Sequence, residues 1–305
     1  MKTAIAFLIF NRPDPTLKVF EAIREAKPPI LMVVADGPRK DRAGEAEKCT
    51  ATRKIIEQVD WNCQVLTNYS DINLGCRQRV ATGLNWVFTQ VEEAIILEDD
   101  CLPHPSFFPF CEELLDYYRN DQRIMVISGD NYQFGRNHTP YSYYFSRYNH
   151  CWGWATWKRA WKYYDIDMKL WPKIRDQQGL KFILEDNKSV KFWTNIFQKT
   201  YDGEIDTWDF QWTLACWLQS GLTILPNANL VSNIGFGPEA THTTDSDNYA
   251  ANLTVKEMCF PLQHPPIVIR HTEADDFTQR NHFDNNSFIR RAVKKTKKLL
   301  KFFKQ

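Results

Sequence analysis

The first 130 residues alternate between short apolar runs and segments with helical spacing, and this alternation constrains the fold more than any other feature of the chain. Between the runs, apolar residues recur every three or four positions, as at Val80, Leu84, Val87 and Phe88. The apolar runs span residues 3–10, 30–35, 65–69, 94–97 and 124–128. Such a strand–helix order is typical of a mostly parallel sheet with helices on both faces. The sequence therefore predicts an α/β fold.

The alternation ends near residue 130, and the second half is less regular. Residues 236–252 are rich in Gly, Thr, Asp and Asn without periodicity, which predicts a mobile loop. Elsewhere we predict an extended segment at 141–148, helices at 152–164, 191–201 and 208–219, and a short strand at 222–225. The chain divides into a regular half, 1–130, a second half of the same domain, 131–284, and a terminal segment, 285–305.

Charge is unevenly distributed along the chain. The formal net charge is +1, but the residues after Asp284 include eight Lys or Arg and no acidic residue. The preceding body therefore has 30 basic and 37 acidic side chains, a net charge of −7. An acidic body argues against a nucleic-acid partner, because nucleic-acid binders need a basic face.

The terminal segment has the pattern of a basic amphipathic helix. From Phe288 the apolar residues recur at helical spacing, and Lys or Arg residues occupy the opposite face up to position 304. A helix of this kind over 288–304 suits the surface of an anionic membrane. A helix docked on the acidic body of the protein would show the same pattern and is the alternative.

The beginning of the chain, with one Lys and an apolar run, superficially resembles a signal peptide. The run lasts only from Ala4 to Phe10 and no small-x-small cleavage site follows, so we interpret it as a buried strand. No segment has the roughly 18 apolar residues that a membrane span needs. The eight cysteines show no CxxC spacing, and we predict reduced core cysteines of a cytosolic protein rather than metal ligands.

Acidic residues follow two of the predicted strands. Asp36 comes after the second run, and the triplet Glu98-Asp99-Asp100 comes after the fourth. In an open parallel sheet, ligands bind beyond the carboxyl ends of the strands. Three consecutive carboxylates repel one another unless a cation or hydrogen-bond donors offset their charge, and hard divalent cations bridge carboxylates to phosphate oxygens. The triplet therefore predicts a divalent-cation site; a solvated turn with helix-capping acids is the alternative.

The surroundings of the triplet carry a family resemblance. The stretch RQRVATGLNWVFTQVEEAIILEDDCLPHPSFFPFCEELLDYY resembles the metal-binding region of glycosyltransferases with the GT-A fold. It is most similar to the family 13 β-1,2-N-acetylglucosaminyltransferases in its order of helix, buried strand, Glu-Asp-Asp, Pro-Ser-Phe-Phe and next helix. The resemblance, over roughly residues 3–245, implies a Rossmann-like nucleotide-sugar-binding half in 1–130 and an acceptor-binding, catalytic half in 131–284. It implies that Asp100 ligates Mn²⁺ (or Mg²⁺) on the nucleotide diphosphate, with Glu98 and Asp99 near the sugar and ribose.

The same resemblance implies further donor-binding residues. Asp36, in VVADGP, takes the place of an Asp that reads the uracil ring, and Arg12 matches an Arg that contacts the nucleotide. Arg79 stands where the family carries a His on the diphosphate side, so a donor is kept but its identity changes.

Two segments resemble the parts of the family that shape the sugar and acceptor site. One is ISGDNYQ, which contains Asp130, and the other is CWGWATWKRAW, which contains Trp152, Gly153 and Trp154. Helix packing is an equally good interpretation of this tryptophan cluster.

An inverting sugar transfer needs a carboxylate that takes the proton of the acceptor hydroxyl. In TWDFQW, Asp209 opens a predicted helix between apolar residues, and burial beside such rings would raise its pKa. The family carries Trp-Asp-Asp-Trp here, and its first Asp, the catalytic base, aligns with Asp209; Phe210 replaces the second. An acid that interacts with the helix dipole is the alternative, and Asp206 is the reserve candidate.

Downstream, VSNIGFGPEATHT resembles a segment that closes over the donor phosphates. The resemblance implies a lid that includes Gly235, Phe236, Gly237 and His242. A glycine- and threonine-rich loop suits a lid, because such loops become ordered on ligand binding and exclude water.

These features together predict an inverting, metal-dependent glycosyltransferase. The expected reaction moves a sugar, by resemblance N-acetylglucosamine, from a UDP-sugar to a saccharide or lipid-linked glycan in bacterial surface polysaccharide or lipopolysaccharide synthesis. The expected location is cytoplasmic and peripheral to the inner face of the plasma membrane. A sugar-phosphate nucleotidyltransferase is an alternative that would want a Gly-rich, basic loop where the chain has Asn11-Arg12-Pro13-Asp14. A non-catalytic glycan- or nucleotide-binding module is the other.

Overall fold

The computed structural model describes residues 1–236 and 253–284, and its central feature is an eight-stranded sheet. The strands of the chain are β1 (Ile5–Ile9), β2 (Ile30–Ala35), β3 (Gln64–Tyr69), β4 (Glu93–Glu98), β5 (Cys101–Pro103), β6 (Ile124–Ser128), β7 (Tyr143–Ser146), β8 (Trp154–Trp157), β9 (Leu222–Pro226) and β10 (Val231–Asn233). The order in the sheet is β3-β2-β1-β4-β8-β6-β9-β7, and β5 pairs with β10 in a separate antiparallel ribbon. All strands of the sheet except β7 and β8 run in one direction. The predicted mostly parallel, Rossmann-like α/β sheet is confirmed.

Helices cover both faces of this sheet. They are α1 (Pro13–Ala26), α2 (Glu45–Lys54), α3 (Gly75–Gln90), α4 (Phe107–Tyr117), α5 (Lys158–Trp161), α6 (Trp171–Asp176), α7 (Asn187–Tyr201), α8 (Asp209–Leu218) and α9 (Thr272–Thr278), with single turns at Ile55–Gln58, Gly179–Phe182 and Gln279–Phe283. Along β1, Phe7 packs into the core formed with α1 and α4, whereas Ala6 and Leu8 pack into the core formed with α3 and α8. Because successive side chains of a strand point to opposite faces, burial of every residue of β1 requires this double cover.

The helix predicted at 152–164 is wrong in its first half. Trp154–Trp157 is strand β8, which lies antiparallel between β4 and β6, and only Lys158–Trp161 is helical. Trp and Thr favour a pleated, buried surface, and here Trp154 faces one core while Trp157 faces the other. The predicted helices at 191–201 and 208–219 are confirmed as α7 and α8.

The second half of the chain contributes strands to the same sheet and also forms a helical lobe. Helices α6, α7 and α8 pack around a third core that includes Tyr148, Trp193 and Phe197. The lobe is joined to the sheet at Arg147, which follows β7: its guanidinium donates to the Ile183 carbonyl over 2.5 Å, and its carbonyl accepts from the Trp217 indole of α8 over 2.7 Å. The lobe is therefore held against the sheet edge that carries β7.

The predictions about membrane-spanning segments and about the cysteines can be compared with the described residues. In the described part of the chain, no helix is long and apolar enough to cross a membrane. The eight cysteines all lie in that part, and all are free thiols. The predicted loop beyond Phe236 and the terminal segment 285–305 lie outside the described residues.

Candidate active site

The acidic triplet lies at the carboxyl edge of the sheet. Glu98 is the last residue of β4, which runs between β1 and β8, and Asp99 and Asp100 form the turn into β5. The peptide N–H of Ile234 donates to the Asp100 carbonyl over 2.8 Å, so the ribbon of β5 and β10 fixes this turn. The triplet is thus placed where open parallel sheets bind their ligands.

Arg12 partly neutralises the triplet. It immediately precedes α1, and its guanidinium donates to Asp99 and to the Asp100 carboxylate, the latter over 2.8 Å. Burial acts to lower the pKa of Arg12, but the adjacent Asp99 and Asp100 outweigh it, so the pKa is raised. The resemblance implied that Arg12 and Asp99 contact the donor and that Asp100 ligates the metal. The contact of Arg12 with these two carboxylates was not predicted.

The triplet also retains protons. Burial, followed by the charges of Asp100 and Asp99, raises the pKa of Glu98 to about 8. Burial raises the pKa of Asp99 to about 6, although Arg12 opposes this shift. Below its pKa, and without a bound cation, the Glu98 side chain is mostly a neutral carboxylic acid.

This shift predicts a pH-dependent stability difference for Glu98→Gln. The Glu98 carboxyl loses this proton near its ordinary pKa of 4.5 in the unfolded chain and near pH 8 in the folded protein. Between these values the folded state binds more protons, so the free energy of unfolding falls as the pH rises. Glutamine does not titrate, so the variant does not lose this stability. The melting temperature of the variant minus that of the wild type should therefore rise from about pH 5 to about pH 8. Thermal unfolding across that range, with the exposed Glu57→Gln as control, tests this; a pH-independent difference between Glu98→Gln and wild type contradicts it.

Asp209, far away in the sequence, lies within the range of charge interaction with the triplet. It is the first residue of α8, is half-buried, and accepts a hydrogen bond from the Thr207 hydroxyl. Its charge contributes to the raised pKa of Glu98, after burial and the two aspartates of the triplet. The fold thus brings the start of α8 within the range of charge interaction with the end of β4, from more than a hundred positions away. Asp206 is exposed and accepts from the Arg77 N–H at the start of α3 instead.

Two cysteines near these acids were not singled out from the sequence. Cys76 and Cys151 are half-buried, and burial raises the pKa of each thiol well above its usual value. The charges of Glu98 and Asp209 add to both shifts. Their positions in the sequence are the only sign that could have indicated them. Cys76 is the second residue of α3, and Cys151 directly precedes Trp152.

Asp36 follows β2, and Arg79 lies in α3 with its guanidinium against Asn68 of β3; neither is hydrogen-bonded to the triplet. Asp36 accepts from the peptide N–H groups of Leu74 (2.9 Å) and Gly75 (3.1 Å), and from the Asn73 amide (3.0 Å). It therefore fixes the start of α3. Arg79 donates to the Asn68 carbonyl (2.5 Å) and to its side-chain oxygen (2.6 Å).

The predicted acceptor-side residues are arranged around Asp130. The Trp152 N–H donates to one Asp130 oxygen over 3.0 Å, and the other oxygen is buried without a hydrogen-bond partner among the described residues. Burial raises the pKa of Asp130 well above its ordinary value. Gly153 has φ +73°, and a Cβ there would lie 2.6 Å from Val231 Cγ2. Trp154 is only 1% exposed and stacks on Trp208, so its side chain belongs to the core.

Of the first two residues of the predicted lid, Gly235 lies against Asp100 and Phe236 lies against Trp152. A Cβ on Gly235 would lie 2.0 Å from Asp100 Oδ2 and 2.7 Å from an Arg12 nitrogen, so only glycine fits there. Phe236 packs edge-on against Trp152 at 5.6 Å between ring centroids. The remaining predicted lid residues, Gly237 and His242, lie outside the described residues.

The side chains around the triplet determine whether it can hold a metal ion. Among residues 1–236 and 253–284, no group of three or more His, Cys, Asp or Glu side chains is arranged to hold a metal. A cation that travels with a diphosphate, however, takes only one or two protein carboxylates and completes its shell with phosphate oxygens and water. Asp100 offers such an oxygen, directly under Gly235. The residues therefore fit a cation delivered with a nucleotide, and Arg12 shares the oxygen that the cation would use.

Comparison with known proteins gives structural likenesses only. No protein-family model and no curated protein matches the chain. Mouse xyloside xylosyltransferase 1 aligns over 70% of this chain and 81% of its own, with 9% identity and a TM-score of 0.33. A 4-diphosphocytidyl-2C-methyl-D-erythritol synthase from Anaerococcus prevotii aligns over 65% of this chain and 99% of its own, with 10% identity and a TM-score of 0.32. UDP-glucose pyrophosphorylase in complex with UDP-glucose aligns over 48% of this chain, with 14% identity and a TM-score of 0.27, and the aligned part spans 62% of that enzyme.

Proposed function

We propose that the protein is an inverting, divalent-metal-dependent glycosyltransferase that uses a UDP-sugar. The observation that carries the proposal is that Asp209 lies close enough to the triplet, at the carboxyl edge of the sheet, for its charge to act on Glu98. The reaction has two needs, and each has a candidate here. One candidate is the carboxylate of Asp209 at the start of α8, and the other is the partly neutralised triplet at the end of β4. These needs are a base for the acceptor and a place for the departing diphosphate.

In the proposed reaction, Asp209 accepts the proton of the acceptor hydroxyl while that oxygen attacks the anomeric carbon. The bond from the anomeric carbon to the diphosphate oxygen breaks on the opposite side, so the configuration inverts. Glu98 and Asp99 are proposed to lie near the sugar and the ribose, as the sequence resemblance implies. Gly235 and Phe236 cover this place, which supports exclusion of water.

Asp100 would hold Mn²⁺ or Mg²⁺ on the diphosphate, and the cation would offset the negative charge that develops on the leaving group. Arg12 would contact the same diphosphate. Its guanidinium already lies against Asp99 and Asp100, within reach of anything bound there. Asp36 and Arg79 are proposed for the nucleotide side, where their present hydrogen bonds to the chain would have to be shared with the ligand.

The arrangement after β1 favours transfer of a sugar over the nucleotidyltransferase alternative. A nucleotidyltransferase would want a Gly-rich, basic loop after the first strand, and this chain has Asn11-Arg12-Pro13-Asp14 there, with Arg12 as its one basic residue. Two parts of the proposal rest on the sequence: N-acetylglucosamine as the sugar, and a saccharide or lipid-linked glycan, reached through the membrane-docking segment 288–304, as the acceptor.

A panel of UDP- and GDP-sugars, each with and without Mn²⁺, tests the function. We expect a UDP-sugar with Mn²⁺ to raise the melting temperature and to be slowly hydrolysed, because water can replace the acceptor. Binding without turnover across a broad set of saccharide acceptors would favour the non-catalytic module. Release of diphosphate from a nucleoside triphosphate and a sugar phosphate would favour the nucleotidyltransferase.

A further inference from the structure

The turn Gly179–Phe182 holds an aromatic ring in solvent. Phe182 is 90% exposed, more than any other large apolar side chain in the described part of the chain. The flanking Leu180 and Leu184 are buried in the core of the helical lobe. The backbone on both sides of Phe182 is therefore anchored, and the ring is presented outwards by a fixed turn.

The charges near this ring are mostly positive and uncompensated. Lys181 precedes Phe182, and Lys173 and Lys191 are exposed on α6 and α7, the helices packed against the turn. None of these three lysines forms an ion pair with another described residue. The nearby acids are engaged: Asp176 of α6 pairs with Arg175, Glu185 pairs with Arg147 and Arg270, and Asp186 caps the start of α7.

The described chain also ends beside this part of the lobe. The Asp284 carboxylate contacts the Lys188 ammonium of α7, and the preceding turn is fixed by Gln279, which accepts from the Trp193 indole over 2.9 Å. The residues that follow Asp284 add eight Lys or Arg and no acid. The described chain therefore ends on the lobe that carries Phe182, and the basic segment follows it in the sequence.

We infer that this part of the lobe docks on an anionic lipid surface, with Phe182 inserted between the headgroups and the lysines facing the anionic lipids. An exposed aromatic ring gains free energy by leaving water, and each lysine gains from the negative surface potential. A protein partner would have to present an acidic surface with an apolar recess, whereas a bilayer offers both features everywhere. The inference adds a contact to the segment 288–304 and holds whether or not the protein transfers a sugar.

The test measures sedimentation of the full chain with phosphatidylcholine vesicles, with and without phosphatidylglycerol. We expect the wild type to bind only the anionic vesicles, and Phe182→Ser to bind them about tenfold more weakly. Leu17→Ser is the matched control, because Leu17 is an exposed apolar residue (40%) on α1, which packs elsewhere. Lys181→Gln should weaken binding about fivefold.

Equal vesicle binding by Phe182→Ser and wild type would overturn the inference. So would a Phe182→Ser variant that becomes monomeric from an oligomer, because Phe182 would then serve self-association. Melting temperatures and UDP-sugar hydrolysis in solution are measured on the same samples. Unchanged values show that the fold and the proposed function are intact, so each idea can fail separately.

Discussion

Asp209→Asn is expected to lower the rate of sugar transfer by about 10²–10⁴-fold while the affinity for the UDP-sugar stays unchanged. A positioned general base contributes a factor of this size, and asparagine keeps the volume of the side chain but cannot accept the proton. The proposed donor site is at the end of β4, so the substitution at the start of α8 is expected to remove only the acceptor-side function. The measurements are single-turnover transfer and isothermal titration with the UDP-sugar and Mn²⁺.

Asp206→Asn is the matched control for the base. Asp206 is an exposed acid three positions earlier that contacts the Arg77 N–H, and its substitution should leave transfer intact. Because Asp209 also opens a helix, its loss removes a favourable interaction with the helix dipole of about 0.3–1 kcal/mol, so the melting temperature is recorded. Full transfer by Asp209→Asn, or a loss that follows Asp206→Asn instead, would reject the assignment.

Asp100→Asn is expected to remove the dependence of UDP-sugar binding on Mn²⁺. Affinity in the presence of Mn²⁺ should fall about 10- to 100-fold, the equivalent of one lost charged interaction of about 1.5–3 kcal/mol. Asparagine has the size of aspartate and so keeps the close contact under Gly235. In the absence of metal, the variant should bind UDP at least as well as the wild type, because Arg12 loses one of its two carboxylates.

The control for Asp100 is Asp116→Asn, which removes a carboxylate from the exposed side of α4. Titration of the wild type and of Asp100→Asn with the UDP-sugar, with and without a chelator, shows separately whether a cation acts at this site and whether Asp100 holds it. If chelation leaves the wild-type affinity unchanged, no cation acts at this site. If Asp100→Asn keeps its metal dependence, another residue holds the ion.

The sequence predicted those parts of the fold that depend on local pattern. The strands β1, β2 and β4 are continuous apolar runs, and burial on both faces is the reason. The strand β8 was missed because a short segment rich in Trp and Ala is compatible with a buried helix as well as a buried strand. Its position between β4 and β6 depends on pairing across more than fifty residues, which no local pattern encodes.

The candidate site was predictable to a similar extent. Acids at the ends of parallel strands must share one edge of the sheet, so the positions of Asp36 and Glu98 follow from strand assignment alone. The contacts of their side chains do not follow. The five hydrogen bonds that Asp36 accepts, and the grip of Arg12 on Asp99, depend on loop conformations that only the folded chain defines.

Arg12 gives the protein its own counter-ion, and this has a consequence for the order in which ligands arrive. A divalent ion that comes alone must compete with a tethered guanidinium for Asp100 Oδ2. A diphosphate offers that guanidinium another anion, so its arrival frees the oxygen for the ion. Loading is then an exchange of partners, and each ligand should tighten the binding of the other by the same factor.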